Sequence, residues 1–90
     1  SVGLDNIYTV KFKYMKNSVV MRAVKNIENK VVKQIELIKS SETVRIYSVT
    51  TTKGLGDLEE KIMMILLDLN VNIDDLRFKA FGTELVIESL

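Results

Sequence analysis

The second half of the chain constrains the fold most, because it switches between helical and strand periodicity over a short distance. Gly54 and Gly56 interrupt a strand-like run, and the turn at residues 70–72 precedes two short strands at 74–81 and 84–88. Between the glycines and the turn lies a helical stripe of apolar residues: Leu58, Ile62, Ile65, Leu66 and Leu69. Glycine and asparagine commonly end regular elements. The pattern therefore predicts a loop, a helix and a β-hairpin, in that order.

The first half begins with a second clear strand pattern. Tyr8, Val10, Phe12 and Tyr14 alternate with polar residues, which is typical of a strand with one buried face. A helix over about residues 18–28 follows, since Val20, Val24 and Ile27 recur at helical spacing. We expect Asn17 and Ser18 to supply the N-cap oxygens of this helix.

Residues 29–39 allow two interpretations. In the first, the helix stops near Lys30 and residues 31–39 form a strand, which turns at 40–42 into the strand at 43–52. We prefer this interpretation because Val31, Val32, Ile35 and Ile38 are β-branched. In the second, the apolar stripe continues as one long helix to Lys39.

The two interpretations predict different folds. The first gives an α+β, ferredoxin-like sandwich, with an antiparallel sheet and two helices on one face. The second gives the order strand-helix-strand-helix-strand-strand, which resembles the nucleic-acid-binding Alba proteins. In that alternative, Lys16 lies near the basic contact of the Alba family.

Length and composition exclude several kinds of chemistry. Ninety residues make one domain, with residues 1–6 as a flexible lead-in, and the chain can be a fragment of a larger protein. There is no Cys and no His, so thiolate nucleophiles, disulfides, Cys/His zinc sites and the usual general base are absent. The pair Asp74 and Asp75 is too isolated to indicate a metal site. We expect no enzyme, no metal and no cofactor.

Charge is distributed unevenly along the chain. Residues 1–52 carry nine basic and four acidic residues, a net charge of +5, whereas residues 53–90 carry four and eight, a net charge of −4. This asymmetry fits two ordinary solvated faces, and it also fits a basic patch for phosphates or a charge-complementary surface for self-association. The basic excess is too small to predict strong binding of nucleic acid. No apolar run reaches the roughly 18 residues of a membrane span, so we expect a cytoplasmic chain that does not itself contact a membrane.

The stretch 49–89 resembles the ACT domain, a small regulatory module that commonly binds amino acids. In that family a strand ends in a glycine loop, a helix follows, and a polar turn leads into a hairpin. The matching positions here are Gly56, Leu58, Ile62, Leu66, Asn70, Asn72 and Ile73. The chain lacks the Pro that often precedes the glycine, and has one extra residue between Leu58 and Ile62. In ACT domains a helix and a strand follow the hairpin; here we expect residues 18–39, which precede the motif, to supply that pair, as in a permuted or ferredoxin-like relative.

The resemblance implies a ligand site at the start of the second helix. Gly54, Leu55, Gly56 and Asp57 would bind the ligand's backbone, and Asn72 would form a hydrogen bond to it from the next strand. A glycine turn at a helix N-terminus is chemically suited to a carboxylate or phosphate. We therefore expect a non-catalytic regulatory or assembly domain that senses an amino acid or another small ligand. A cytosolic domain attached to a transport-related membrane protein is an alternative, as is a weak, Alba-like nucleic-acid binder.

The apolar stripe of the second helix is wider than one buried face requires. Met63, Met64 and Leu67 extend it beyond the usual arc. The surplus indicates either deep packing or a contact with a partner. We expect a homodimer, held by this helix or by edge strands that pair across a two-fold axis.

Overall fold

The structure, a computed structural model, describes residues 3–90. It contains five strands and two helices: β1 (Asn6–Lys13), α1 (Asn17–Lys30), β2 (Gln34–Ser40), β3 (Val44–Thr51), α2 (Leu55–Asp68), β4 (Leu76–Phe81) and β5 (Glu84–Ser89). A 3-10 turn, Ile73–Asp75, precedes β4. The α+β class is confirmed, and the architecture is compatible with a ferredoxin-like sandwich. The lead-in predicted for residues 1–6 falls partly outside the described residues, and Asn6 already belongs to β1.

The five strands form one sheet in the order β2-β3-β1-β5-β4. All neighbouring strands are antiparallel except β1 and β5, which are parallel. The prediction of an antiparallel sheet is therefore wrong at this pair. The reason is that the chain leaves α2 to form the edge strand β4, then turns back at Gly82 to lay β5 beside β1. Gly82 has φ +60°, a conformation that glycine adopts at little cost.

The preferred interpretation of residues 29–39 agrees with the structure, and the Alba-like element order is wrong. Helix α1 ends at Lys30, where the backbone N–H groups of Val31 and Val32 both donate to the carbonyl of Ile27, at 3.0 and 3.3 Å. The N–H of Lys33 then donates to the carbonyl of Thr50 at 2.9 Å. The chain therefore joins the sheet alongside β3 instead of continuing as a helix, and β2 begins at Gln34, later than expected.

One apolar cluster fills the space between the sheet and the helices. The strands contribute the inward residues Tyr8, Val10, Phe12, Tyr47, Val49, Leu85 and Ile87. The helices contribute Val20, Ala23, Ile27, Leu58, Ile62, Ile65 and Leu66. Because both helices pack into this one cluster, they cover the same face of the sheet, as predicted. Within residues 3–90, no helix covers the other face.

The two helices begin without a side-chain cap from any described residue. The N-cap of α1 is Lys16, so the prediction that Asn17 and Ser18 cap this helix is wrong; both lie in its first turn. The N-cap of α2 is Gly54, and Asp57 lies in the first turn, where a carboxylate favours the helix dipole. The first N–H groups of α1 are consequently left without a capping side-chain oxygen.

Helix α2 ends at Asp68, and the chain turns at Asn70 just beyond it, as the sequence indicated. Asn70 has φ +63° and its N–H donates to the carbonyl of Leu67 at 2.9 Å, while the N–H of Val71 donates to that of Leu66 at 3.0 Å. These two bonds form a Schellman motif, in which asparagine is the usual substitute for glycine. The motif turns the chain sharply toward the 3-10 turn and β4. No helix in residues 3–90 has both the length and the apolar character needed to cross a membrane.

Candidate functional site

A cleft of about 270 Å³ lies at one end of the sheet. It forms where four segments meet: the end of β1, the start of α1, the connection between α2 and β4, and the end of β5. Parallel pairing of β1 and β5 brings the carboxyl ends of both strands to this side of the molecule. Its wall is made by half-buried apolar side chains: Met15, Val19, Val71 and Leu76. The cleft is therefore an apolar hollow built on elements that the core holds in place.

Tyr14 forms one side of the cleft and has an unusual backbone. Its φ is +58°, in the left-handed region that bulky residues rarely occupy. The N–H of Tyr14 donates to the carbonyl of Thr43 at 2.8 Å, which helps hold this conformation. The ring is 58% exposed, with the Nζ atom of Lys13 5.8 Å from its centroid. Backbone strain of this kind concentrates at functional sites, so Tyr14 marks this end of the sheet as a candidate.

The polar side chains of the cleft include one cation and one anion. Lys16, the N-cap residue of α1, supplies an exposed ammonium group, and Asp75 supplies a carboxylate. Among residues 3–90, neither takes part in an ion pair. The backbone of Asp75 is fixed, since its carbonyl accepts the N–H of Leu90 at 2.9 Å. Two residues of opposite charge thus line one small hollow, and they do not form an ion pair with each other.

Asn72 is held in the same cleft by its own side chain. Its Oδ1 accepts the N–H of Asp74 at 3.1 Å, which caps the 3-10 turn. This bond leaves the Nδ2 group of Asn72 as a donor. The hydroxyl of Ser89 completes the polar lining. The cleft can therefore offer an ammonium, a carboxylate, an amide donor and a hydroxyl to one ligand.

The structure does not bring the predicted ligand residues together. Asn72 follows the C-terminal end of α2, whereas Gly54, Leu55, Gly56 and Asp57 lie at its N-terminal end. A helix of 14 residues is about 21 Å long, too far for one small ligand to span. Binding at the glycine loop stays a prediction, with Asn72 outside that site.

Neither the packing nor the backbone conformation of the glycine loop requires glycine at positions 54 and 56. A Cβ atom added at Gly54 or Gly56 would meet nothing within 4 Å, and neither residue has a positive φ. The carboxylate of Asp57 is already near a cation, with its Oδ2 atom 3.8 Å from the Nζ of Lys53. The loop is open to approach, but its carboxylate is engaged with a neighbour.

Sequence reasoning missed most of the cleft. Lys16 was considered only as a nucleic-acid contact in the Alba-like alternative. Asp75 was assigned to the start of a strand, and Tyr14 to the first strand. These residues lie far apart in the chain, and only the strand order brings them together. The isolated pair Asp74 and Asp75 after a helix end was the one local signal that could have drawn attention to this region.

The predicted interface residues lie along the outer part of α2. Met64 is 53% and Leu67 is 52% exposed, while Met63 is half-buried. Helical spacing places Glu60, Met64 and Leu67 on one solvent-facing stripe, opposite the buried Leu58, Ile62 and Leu66. Met64 and Leu67 therefore remain uncovered on the outer side of α2 in the single chain.

Comparison of the chain with protein-family models, curated proteins and solved structures found no match. The resemblance of residues 49–89 to ACT domains therefore stays a prediction. Within residues 3–90, no three acidic side chains converge in a way that could hold a metal ion.

Proposed function

We propose that this chain is a non-catalytic, cytoplasmic regulatory domain that binds a small zwitterionic ligand, an amino acid, in the cleft between Lys16 and Asp75. The observation that carries the proposal is the presence of these two unpaired, opposite charges in one apolar hollow. An amino acid carries the complementary pair of charges on two groups that are attached to the same carbon.

Each part of such a ligand has a matching feature in the cleft. The ligand carboxylate faces the ammonium of Lys16 and the uncapped N–H groups at the start of α1, where the helix dipole also favours an anion. The ligand ammonium faces the carboxylate of Asp75, and the Nδ2 group of Asn72 can donate a hydrogen bond to the ligand carboxylate. The ligand side chain packs on the apolar wall, represented by Val19 and Leu76.

The size of the cleft supports a ligand of this class. A volume of about 270 Å³ lies just below the range of roughly 300–1,000 Å³ that is usual for larger ligands. An amino acid is small enough for such a space, and the resemblance to ACT domains and the compatibility with a ferredoxin-like sandwich point to the same class of domain. The ligand site differs from the one that the resemblance implied, because it uses the start of α1 instead of the start of α2.

Binding of nucleic acid remains the alternative, but no observation favours it. On the uncovered face of the sheet, the Nζ of Lys11 is 3.8 Å from a carboxylate oxygen of Glu84, and the Nζ of Lys79 is 3.7 Å from one of Glu88. These cations are already paired within the chain. Among the described residues, the exposed aromatic Phe81 on β4 stands at the end of that face without a second ring for base stacking.

Thermal denaturation in the presence of each of the twenty amino acids tests the proposal. A ligand at 100 times its dissociation constant adds about 2.7 kcal/mol, which raises the melting temperature of a domain this size by roughly 10 °C or more. We expect Lys16→Gln and Asp75→Asn each to abolish the shift. The matched variants Lys39→Gln and Glu42→Gln, which lie outside the cleft, should keep it. If no amino acid raises the melting temperature, or if both cleft variants keep the shift, the proposal is wrong.

A further inference from the structure

The solvent sides of the two helices carry opposite charge. Helix α1 has three basic residues and one acidic residue, a net charge of +2: Arg22, Lys25, Lys30 and Glu28. Helix α2 has four acidic residues and one basic residue, a net charge of −3: Asp57, Glu59, Glu60, Asp68 and Lys61. The uneven charge of the two halves of the sequence is therefore concentrated on two neighbouring surfaces of the fold.

Most of these charges have no partner within the described chain. Of the charged residues on the two helices, only Asp57 takes part in an ion pair among residues 3–90, with Lys53 of the preceding loop. Arg22 and Lys25 on α1 and Glu60 on α2 are exposed and unpaired. Met64 and Leu67 lie on the same outer stripe as Glu60 and are also uncovered. The helical layer thus presents both unneutralised charge and exposed apolar area.

We propose that this helical layer is the surface through which the chain pairs with a second copy of itself. In the pair, α1 of each copy lies on α2 of the other, across a two-fold axis that runs parallel to the helices. This arrangement sets a charge of +2 against one of −3 at two symmetric places. A two-fold axis across the helices would place α1 on α1 and α2 on α2, which sets like charges against each other.

The order of residues along the helices fits this arrangement. Helix α1 starts at the end of β1 and α2 at the end of β3, and since these strands are antiparallel, the two helices run in opposite directions. The stacked α1 and α2 of two copies are then also antiparallel. Each helix has 14 residues, and Lys25 is as far from the end of α1 as Glu60 is from the start of α2. Aligned end to end, Lys25 of one copy faces Glu60 of the other.

Two properties of the surface determine how strong the pair will be. The chain as a whole has a net charge of only +1, so two copies do not repel each other at long range. The contact is limited to two helices of about 21 Å, which is a small interface. We therefore expect a dimer that forms with rising concentration and weakens as salt screens the charges. This self-association is separate from the ligand cleft and does not depend on it.

A pair of charge-reversed variants tests the geometry. The variant Arg22→Glu/Lys25→Glu makes α1 acidic, and the variant Glu60→Lys/Asp68→Lys makes α2 basic. Each variant alone sets like charges against each other, and we expect the dimer dissociation constant to rise about tenfold or more. When the two variants are mixed, both contacts again join opposite charges, so the mixture should dimerise. Sedimentation velocity over a concentration series measures all of these states, and far-UV circular dichroism verifies that each variant is folded.

A matched control separates this contact from an effect of net charge. The variant Lys39→Glu/Arg77→Glu changes the net charge of the chain by the same amount as the α1 variant, but its substitutions lie on the edge strands β2 and β4. It should dimerise like the original chain. The proposal is overturned if the original chain stays monomeric at every concentration, if either helix variant dimerises unchanged, or if the mixture does not recover. Loss of the dimer in the edge-strand control would also overturn it, and would place the contact at the sheet edge.

Discussion

The two ends of helix α2 reveal a candidate site in different ways. The N-terminal end stands out in the sequence, and the C-terminal end stands out in the structure. The N-terminal end carries the most conspicuous motif, with Gly54 and Gly56 in a short loop, yet it is an open stretch whose carboxylate is near Lys53. The C-terminal end has an ordinary turn with two asparagines, Asn70 and Asn72, yet it forms a cleft with Lys16 and Asp75. A local motif is visible in one segment, whereas a binding hollow needs several segments that the fold must first bring together.

Sheet topology is the cause of this difference. The cleft end combines the carboxyl ends of the parallel strands β1 and β5 with the start of α1 and the end of α2. Segments from all parts of the chain therefore converge there. At the other end of α2, the chain passes directly from β3 through the glycine loop into the helix, and the cation near Asp57 comes from that same loop.

The largest expected effect tests whether the two ends of α2 are anchored equally. Leu58 near the first end and Leu66 near the second are both fully buried. Replacing either by Ala removes buried apolar volume and leaves a cavity, so each should lower the free energy of unfolding by about 2–5 kcal/mol. Leu67→Ala, at an exposed position beside Leu66, is the control and should change stability by less than about 0.5 kcal/mol. Urea denaturation measures all three.

Unequal losses would change the comparison between the two ends. If Leu58→Ala cost much less than Leu66→Ala, the N-terminal end of α2 would be loosely packed and its openness would reflect weak anchoring. Equal losses would show that the ends differ in surface shape and charge alone.

Much of the fold could be predicted from local patterns. The alternation of Tyr8, Val10 and Phe12, the helical stripe of α2 and the hairpin of residues 74–88 are each contained in one segment, and each matches observed elements. The β-branched residues that follow α1 also favoured the hairpin correctly. The parallel pairing of β1 and β5 could not be predicted in this way, because it depends on which strand of the hairpin, β4 or β5, lies beside β1.

The candidate site was harder to predict from the sequence, because it also depends on which segments the fold brings together. Asn72 was selected, but the other predicted ligand residues lie at the opposite end of α2. Lys16, Asp75 and Tyr14 have no shared spacing in the sequence, and they meet only because strands from both halves of the chain end on the same side. The glycine loop was selected because glycine is rare inside helices and strands. Such a signal describes the local backbone and does not show which segments the fold brings together.

Smaller changes in stability are expected from substitutions that test the backbone conformation at the two ends of α2. Asn70 has φ +63°, so Asn70→Ala should lower the free energy of unfolding by about 1 kcal/mol, while Asn70→Gly should be nearly neutral. Gly56 lies in the first turn of α2 with open space around it, so Gly56→Ala should raise the free energy of unfolding by about 0.5–1 kcal/mol. Thermal and urea denaturation give both values. A destabilised Gly56→Ala variant would mean that the chain itself needs this glycine.

The most direct test of the account is to map where an amino acid binds. A two-dimensional NMR titration of the isotope-labelled chain, with the amino acid that most raises its melting temperature, follows every backbone amide at once. If the amino acid binds in the cleft, the largest shifts occur at Lys16, Asn72 and Asp75, and those at Gly54 and Gly56 stay small. Largest shifts at the two glycines, with no change around Asp75, would contradict binding in the cleft and return the ligand to the N-terminal end of α2.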